Sequence, residues 1–495
     1  MDKETQELTK QFKEERPSIK KKLPEWIKEI PDKHNPEEVK LKVIPTNLGN
    51  KILKENDYLI ITNEGKEKLY EYNQRYGYWA EIPKGNLTHV VHAKLESENV
   101  WKAIDETNTY KFLLSKIERK TFDETFGKQP PLKFNFDNGV FNWETMKLED
   151  HEKTKFDYFT NYSPITLDMA NKPTPETDKY FKNFFGDSAK TMKQAVGYAF
   201  YPRYEPIQEF IILYGNGGDG KSWFLNNWLT NAVGKNLTAN IALNELAETK
   251  GTNFKLSELF GKYINISSEL TSDENKIMDT AILKRITGGE NINASVKGSK
   301  DINFKPYAKL FIATNELIAF RDDKAGFKRR PYVIQCHKIK DFKNEINQEK
   351  LKEEMGSFIY KCIKEVNPLI EAGKQELTYS ESTRKLNNKW FLDNDPIQQF
   401  IDECLIINND GKEDKEKVEN VYKNWCHDNN LRSLSTRRFI NKMKDKGFGY
   451  EDHYLTAPDK KGSRKHNYTY TGFNFNYDIK EEDKKLWYDG YKRQN

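Results

Sequence analysis

Gly215-Asn216-Gly217-Gly218-Asp219-Gly220-Lys221-Ser222 is the stretch that decides the fold. It fits the pattern G-x-x-x-x-G-K-[ST]. The apolar run IQEFIILYG (207–215) leads into it, and WFLNNWLTNAV (223–233) continues from it with a helical pattern. A buried strand that breaks into a glycine-rich turn and resumes as a helix is the frame of a phosphate-binding loop. Glycines let backbone N–H groups curl around phosphate oxygens, where side chains would block the approach. Lys221 is expected to reach the β- and γ-phosphates, and Ser222 to offer its hydroxyl to Mg²⁺. The helix that starts there turns the positive end of its dipole toward the same anion. The expected ligands are therefore ATP or GTP and Mg²⁺.

A nucleotide-hydrolysing site needs more than a loop. The run Lys262-Tyr-Ile-Asn-Ile-Ser-Ser-Glu-Leu270 reads as a second strand delivering Glu269 to the metal or the attacking water. Ser268 stands beside it where a second acid could have shared that work. The alternative is a surface glutamate closing a strand. A third run, Lys309-Leu-Phe-Ile-Ala-Thr-Asn315, ends in an amide able to hydrogen-bond the γ-phosphate or the water; alone, it would be a turn residue. Lys328-Arg329-Arg330 precedes the β-run PYVIQC (331–336). Either arginine could complete a neighbouring subunit's site, and otherwise the triplet is a solvated basic patch.

Outward from this centre, the region 201–340 alternates apolar β-runs with helical segments, as in a parallel sheet covered by helices. The 495 residues are too many for one core. Charged residues make up 32% and hydrophobic ones 36%, yet aromatics reach 13%, which supplies enough buried area to argue against disorder. Residues 1–45 mix acids, bases and five prolines and read as a charged arm. An α+β domain is expected over 46–200, with β-runs at 58–62, 69–73 and 76–82, a helix from Thr109 to Arg119, and a hairpin turning at Asn138-Gly139. A helical lid is expected over 341–390, a further domain over 391–480 and a tail over 481–495. No run of eighteen apolar residues occurs and the first residues are charged, so neither a membrane span nor a secretory signal is expected, and the compartment is expected to be cytoplasmic. Cys336, Cys362, Cys404 and Cys426 stand singly, without zinc-site or disulfide spacing.

The formal net charge of +5 is small for the length, but its distribution is uneven. From Leu431 to Phe475, ten lysines and arginines face four acids, the local excess expected of phosphate binding. Ser435–Gly447 begins with a good N-cap and ends at glycine. Phe439, Ile440 and Met443 would face a core, leaving Arg437, Arg438, Asn441, Lys442 and Lys444 outward. Lys460, Lys461, Arg464 and Lys465 follow in an expected hairpin loop. Helix, turn, basic helix and basic hairpin resemble a winged helix-turn-helix on DNA; the alternative is a helical lid with a solvated face.

Together these motifs resemble the superfamily 3 helicases, in the phage, plasmid and poxvirus primase-helicase branch. The likeness is carried by GNGGDGKS (215–222), ISSEL (266–270), LKRITGGENINASVKGSKDINFKP (283–306), KLFIATNEL (309–317) and GFKRR (326–330), with weaker support from DNGVFNWETMKLEDH (137–151) and QAVGYAFYPR (194–203). Ala319 stands where the family usually has proline, and no primase polymerase motif is recognisable upstream. The resemblance implies an AAA+-like P-loop core, a homohexameric ring, and 3′-to-5′ unwinding of single-stranded and forked DNA during replication of a mobile genetic element in a bacterial host. A separate primase is a further implied partner. It also implies that 283–306 holds a channel hairpin, with Lys297 and Lys300 near its tip. The competing reading is an origin-binding ATPase switch or helicase loader that does not itself translocate.

Overall fold

The computed structural model describes residues 22–32, 35, 38–247, 254–267, 280–296, 301–317, 320, 325–429, 431–454 and 466–476. The chain divides into two compact units, Met1–Leu167 and Asp168–Asn495.

In the first unit, Tyr58–Asn63 is the hub of a four-stranded sheet. It pairs antiparallel with Lys66–Asn73 on one side, which in turn pairs with Tyr78–Ile82, and parallel with Glu118–Thr121 on the other. Its unbroken apolar run follows from burial on both faces, since successive side chains point to opposite sides of a strand. Ile60 joins Leu48, Leu87, Val91 and Leu113 from the helices Pro45–Glu55, Gly85–Ser97 and Ala103–Lys116. Leu59 and Ile61 join Tyr72 and Trp79 on the other face. The helix read as Thr109–Arg119 thus starts earlier and stops at Lys116; Arg119 belongs to a short edge strand. A second, three-stranded sheet runs Lys133–Phe136, Gly139–Asn142 and Lys147–Glu149. Its first turn is Asp137-Asn138, one residue earlier than expected, because Gly139 already pairs with Phe136.

The second unit is built on a five-stranded parallel sheet in the order Thr238–Ala239, Ile264–Ser267, Lys309–Thr314, Phe210–Tyr214, Pro331–Gln335. The strands at 264–267 and 309–314 are buried along their whole length. This is the α/β, P-loop-like core expected from the sequence. The helices Pro175–Phe185 and Ala189–Ala199, which the sequence reading assigned to the preceding domain, belong to this unit. The long helix Gln348–Glu371 crosses Ala189–Ala199 closely. A Cβ on Gly197 would fall 2.1 Å from the Cys362 carbonyl oxygen, so only glycine permits this approach. Glu354 on the same long helix accepts the N–H groups of Glu176 and Thr177 at 3.2 and 2.7 Å, capping the helix that begins at Pro175. From the expected lid, Asn387 bridges Val333 N–H and the Pro331 carbonyl, and Trp390 sinks into the sheet's core.

The last module has three helices, Pro396–Cys404, Lys415–Asp428 and Thr436–Asp445. An antiparallel sheet of Leu405–Asp414, His466–Phe475 and Gly449–Tyr454 accompanies them, with the long C-terminal strand in the middle. Phe400, Val418, Tyr422, Trp425, Phe439, Met443 and Tyr470 form its core. The four cysteines are buried as free thiols. Among the described residues, no helix is long and apolar enough to cross a membrane.

Candidate active site

All five strands run the same way, so their carboxyl ends share one edge, where open α/β sheets bind ligands. The loop 215–220 leaves the sheet at Tyr214, between the ends of 309–314 and 331–335. Gly215 N–H bonds the Thr314 carbonyl at 3.3 Å, fixing the loop's start to the neighbouring strand. Gly218 (φ +73°) and Gly220 (φ +110°) adopt left-handed backbone conformations that side chains resist. A Cβ on Gly218 would touch nothing, and one on Gly217 would meet only the Asn315 amide nitrogen at 3.9 Å. The loop's backbone therefore lies open to close approach. A glycine backbone open to close approach beside a lysine ammonium suits a polyphosphate, so nucleoside triphosphate fits the residues present.

Lys221 opens the helix after the loop, and its side chain is buried. Its ammonium donates to Gly215 O at 2.8 Å, Asn216 O at 3.3 Å, Asp219 Oδ2 at 2.7 Å and Asn315 Oδ1 at 3.0 Å. The structure thus brings together two residues 94 positions apart that the sequence had proposed separately. Ser222 is exposed on the helix's first turn. The helix widens over Phe224–Leu229, where Thr230 N–H reaches back to the Leu225 carbonyl. An aromatic bed supports it: Phe224 and Trp228 stack at 5.5 Å, Phe181 lies 5.2 Å from Trp228, and Phe184 reaches Gly220. Burial pushes the Cys336 thiol up, with Asp219 nearby adding to the shift. Glu269 lies outside the described residues, though the strand leading to it ends at Ser267 on the same edge.

Arg329 and Arg330 are not part of this cluster. They precede Pro331, which pairs with Phe210 at the start of the loop strand, and so occupy the sheet's opposite edge. The two differ sharply. Arg330 is buried, donating to Thr287 Oγ1 at 2.9 Å, to Gln208 Oε1 at 3.3 Å and to the Gly326 carbonyl. Arg329 is half-exposed and holds two neutral amide oxygens, those of Gln375 and Gln208, each at 2.6 Å. Neither glutamine was singled out from sequence, and nothing local marks them. Close by, Glu209 is pushed well above the usual carboxylate range by burial.

The segment 283–306 contains an antiparallel pair, Ile292–Ala294 and Ile302–Phe304, preceded by the helix Thr280–Thr287 that carries Lys284. Lys297 and Lys300 fall between the two strands and outside the described residues. In the last module, Arg437, Arg438, Asn441 and Lys444 are exposed on one short helix and Lys442 is half-buried, while Phe439 and Met443 face the core. Lys461 and Arg464 lie outside the described residues.

Residues 50–187 match the family described as D5 N terminal like, and residues 213–330 match a family of unknown function (DUF5906). A protein of Acanthamoeba polyphaga mimivirus, provisionally designated a helicase, is 26% identical over 211 residues, covering 40% of this chain. The chain spans about a fifth of that relative's length, 21%. Two solved apo structures of the NrS-1 C-terminal region are similar at TM-scores of 0.46 and 0.45, with 17% and 16% identity, over 86% of this chain and 99% of theirs. The chain is thus similar in sequence, over part of its length, to a viral protein provisionally designated a helicase.

Proposed function

We propose that this chain is a ring-forming, ATP-driven DNA helicase of the superfamily 3 type, with an AAA+-like core, that serves replication of a mobile genetic element. The observation that carries this reading is the contact between Lys221 and Asn315 at the carboxyl edge of a parallel sheet. A loop lysine and a strand-end amide meeting there are what phosphate binding and γ-phosphate sensing require. Lys221 and the N–H groups of 216–220 would hold the phosphates, and Ser222 would hold Mg²⁺, which neutralises phosphate charge when bound. Glu269 would polarise the attacking water, and Asn315 would orient it.

The opposite-edge placement of the arginines favours a role in trans. Arg329, half-exposed and held only by neutral amides, is the one free to swing to a neighbour's phosphates; Arg330 is committed to the interior. Repeating that head-to-tail contact gives a ring where the rotation closes, and the resemblance to superfamily 3 implies six subunits. The hairpin 292–304 would carry Lys297 and Lys300 into the channel. The last module would act as a winged helix, with Arg437, Arg438 and Lys442 on DNA and Lys461 and Arg464 in its wing.

Strand displacement on a forked DNA with a 3′ tail, beside a Lys221→Ala control, tests this. Unwinding by the unaltered chain alone supports it, and a 5′-tailed fork tests polarity. ATP hydrolysis without strand release would instead favour the origin-binding switch or loader.

A further inference from the structure

A carboxylate sits inside the phosphate loop. Asp219 is 8% exposed, and its Oδ2 lies 2.7 Å from the Lys221 ammonium, while its Oδ1 accepts the Lys221 backbone N–H at 3.3 Å. The fit is tight: a Cβ on Gly215 would come within 2.3 Å of that same Oδ2. The first glycine of the motif therefore makes room for an acid as well as for a bend.

This arrangement sets two anions in competition for one cation. The lysine expected to meet the β- and γ-phosphates is occupied by Asp219, by Asn315 and by two backbone carbonyls. A triphosphate arriving at the loop must draw Lys221 off a buried ion pair and then share the loop with the released negative charge. At a separation of about 6 Å and an effective dielectric near 20, like charges repel strongly enough to shift affinity by one to two powers of ten.

We propose that Asp219 is a built-in competitor for nucleotide phosphate: it holds Lys221 in the phosphate's place and weakens nucleotide binding. Asp219 acts through Lys221, as a positioning residue, and the consequence is a loop that loads only at high nucleotide concentration or when further contacts help. The inference rests on the reading that this loop binds nucleoside triphosphate.

The test is titration of a fluorescent ADP analogue, with Mg²⁺, against the full chain and its Asp219→Asn variant, with melting curves for both. Asparagine keeps the shape and one acceptor and removes the charge. The variant should bind at least about tenfold tighter, while its nucleotide-free form melts lower because the buried pair is lost. A role that merely braced the loop would have the opposite sign, so equal or weaker binding by Asp219→Asn overturns the proposal. Should that variant not fold, Asp219→Ser carries the same expectation. Failure of the unaltered chain to bind nucleotide at all would instead defeat the reading on which the inference rests.

Discussion

Two adjacent arginines should give opposite phenotypes. Arg330→Ala removes a buried guanidinium that ties Thr287, Gly326 and Gln208 to the start of the strand Pro331–Gln335. The lost hydrogen bonds and the unpaired acceptors left behind should cost roughly 2–4 kcal/mol. In a unit of this size that lowers the melting temperature by about 3–6 °C. Arg329→Ala gives up two bonds from a half-exposed group to amide oxygens and should leave melting within about 2 °C. Its damage should appear in catalysis, as a loss of ATP turnover of about 10³-fold or more with nucleotide binding intact. In the proposed ring, with loop and arginine at opposite edges of one sheet, each site would draw on two subunits, and inactive variants should complement each other. In rings assembled from equal amounts of Lys221→Ala and Arg329→Ala chains, about a quarter of the interfaces combine an intact loop with an intact arginine. Co-expression with two tags, sequential purification and an ATPase assay read this out directly. Turnover within tenfold of normal in Arg329→Ala, or no recovery in the mixed rings, would refute the reasoning.

Other outcomes follow from the same geometry. Gly220→Val forces a β-branched residue to φ +110° against the Phe184 ring and should abolish nucleotide-induced stabilisation in melting curves. Replacing Arg437 and Arg438 together by alanine should weaken DNA binding without sequence preference and reduce the slope of log affinity against log salt by about two, measured by fluorescence anisotropy. In the first unit, a hydrogen bond to Glu106 raises the pKa of His92, aided by Glu96, although the ring is exposed. A raised pKa in the folded state means that the contribution is fully present below the unfolded value near 6.5 and is lost as pH rises through the higher folded value. The melting difference between the unaltered chain and His92→Gln should therefore shrink steadily between about pH 6 and pH 8. A gap that widens with pH would contradict that pairing.

The loop strand and its helix were legible because a buried parallel strand is an unbroken apolar run and the glycine pattern is rigid in spacing. Asn315 was legible for the same reason: KLFIAT (309–314) ends where a polar residue must face the edge. Strand Leu405–Asp414 was not. Its LIINNDGKED lies at a sheet edge with Ile406 and Ile407 exposed, so no burial pattern marks it. Nor could the sequence tell which body the helices Pro175–Phe185 and Ala189–Ala199 join; an amphipathic stripe announces that it needs a partner without naming it. The division of labour between Arg329 and Arg330 was closed to sequence as well, since it depends on Gln208, Gln375 and Thr287, which lie far from both in the chain. The Asp219–Lys221 pair was hidden differently. Both residues stand in the motif, but the pattern treats position 219 as variable and says nothing of where its carboxylate turns.

The aromatic bed beneath the loop helix sets where this protein can be cut. A fragment beginning at residue 201 would keep the whole motif and lose Tyr180, Phe181, Phe184 and Phe185, baring the faces of Phe224 and Trp228 that those rings cover. Such a piece should be sticky and poorly folded even though every motif residue is present. One beginning near residue 168 carries the bed with it, and is the shorter piece that can be expected to stand alone.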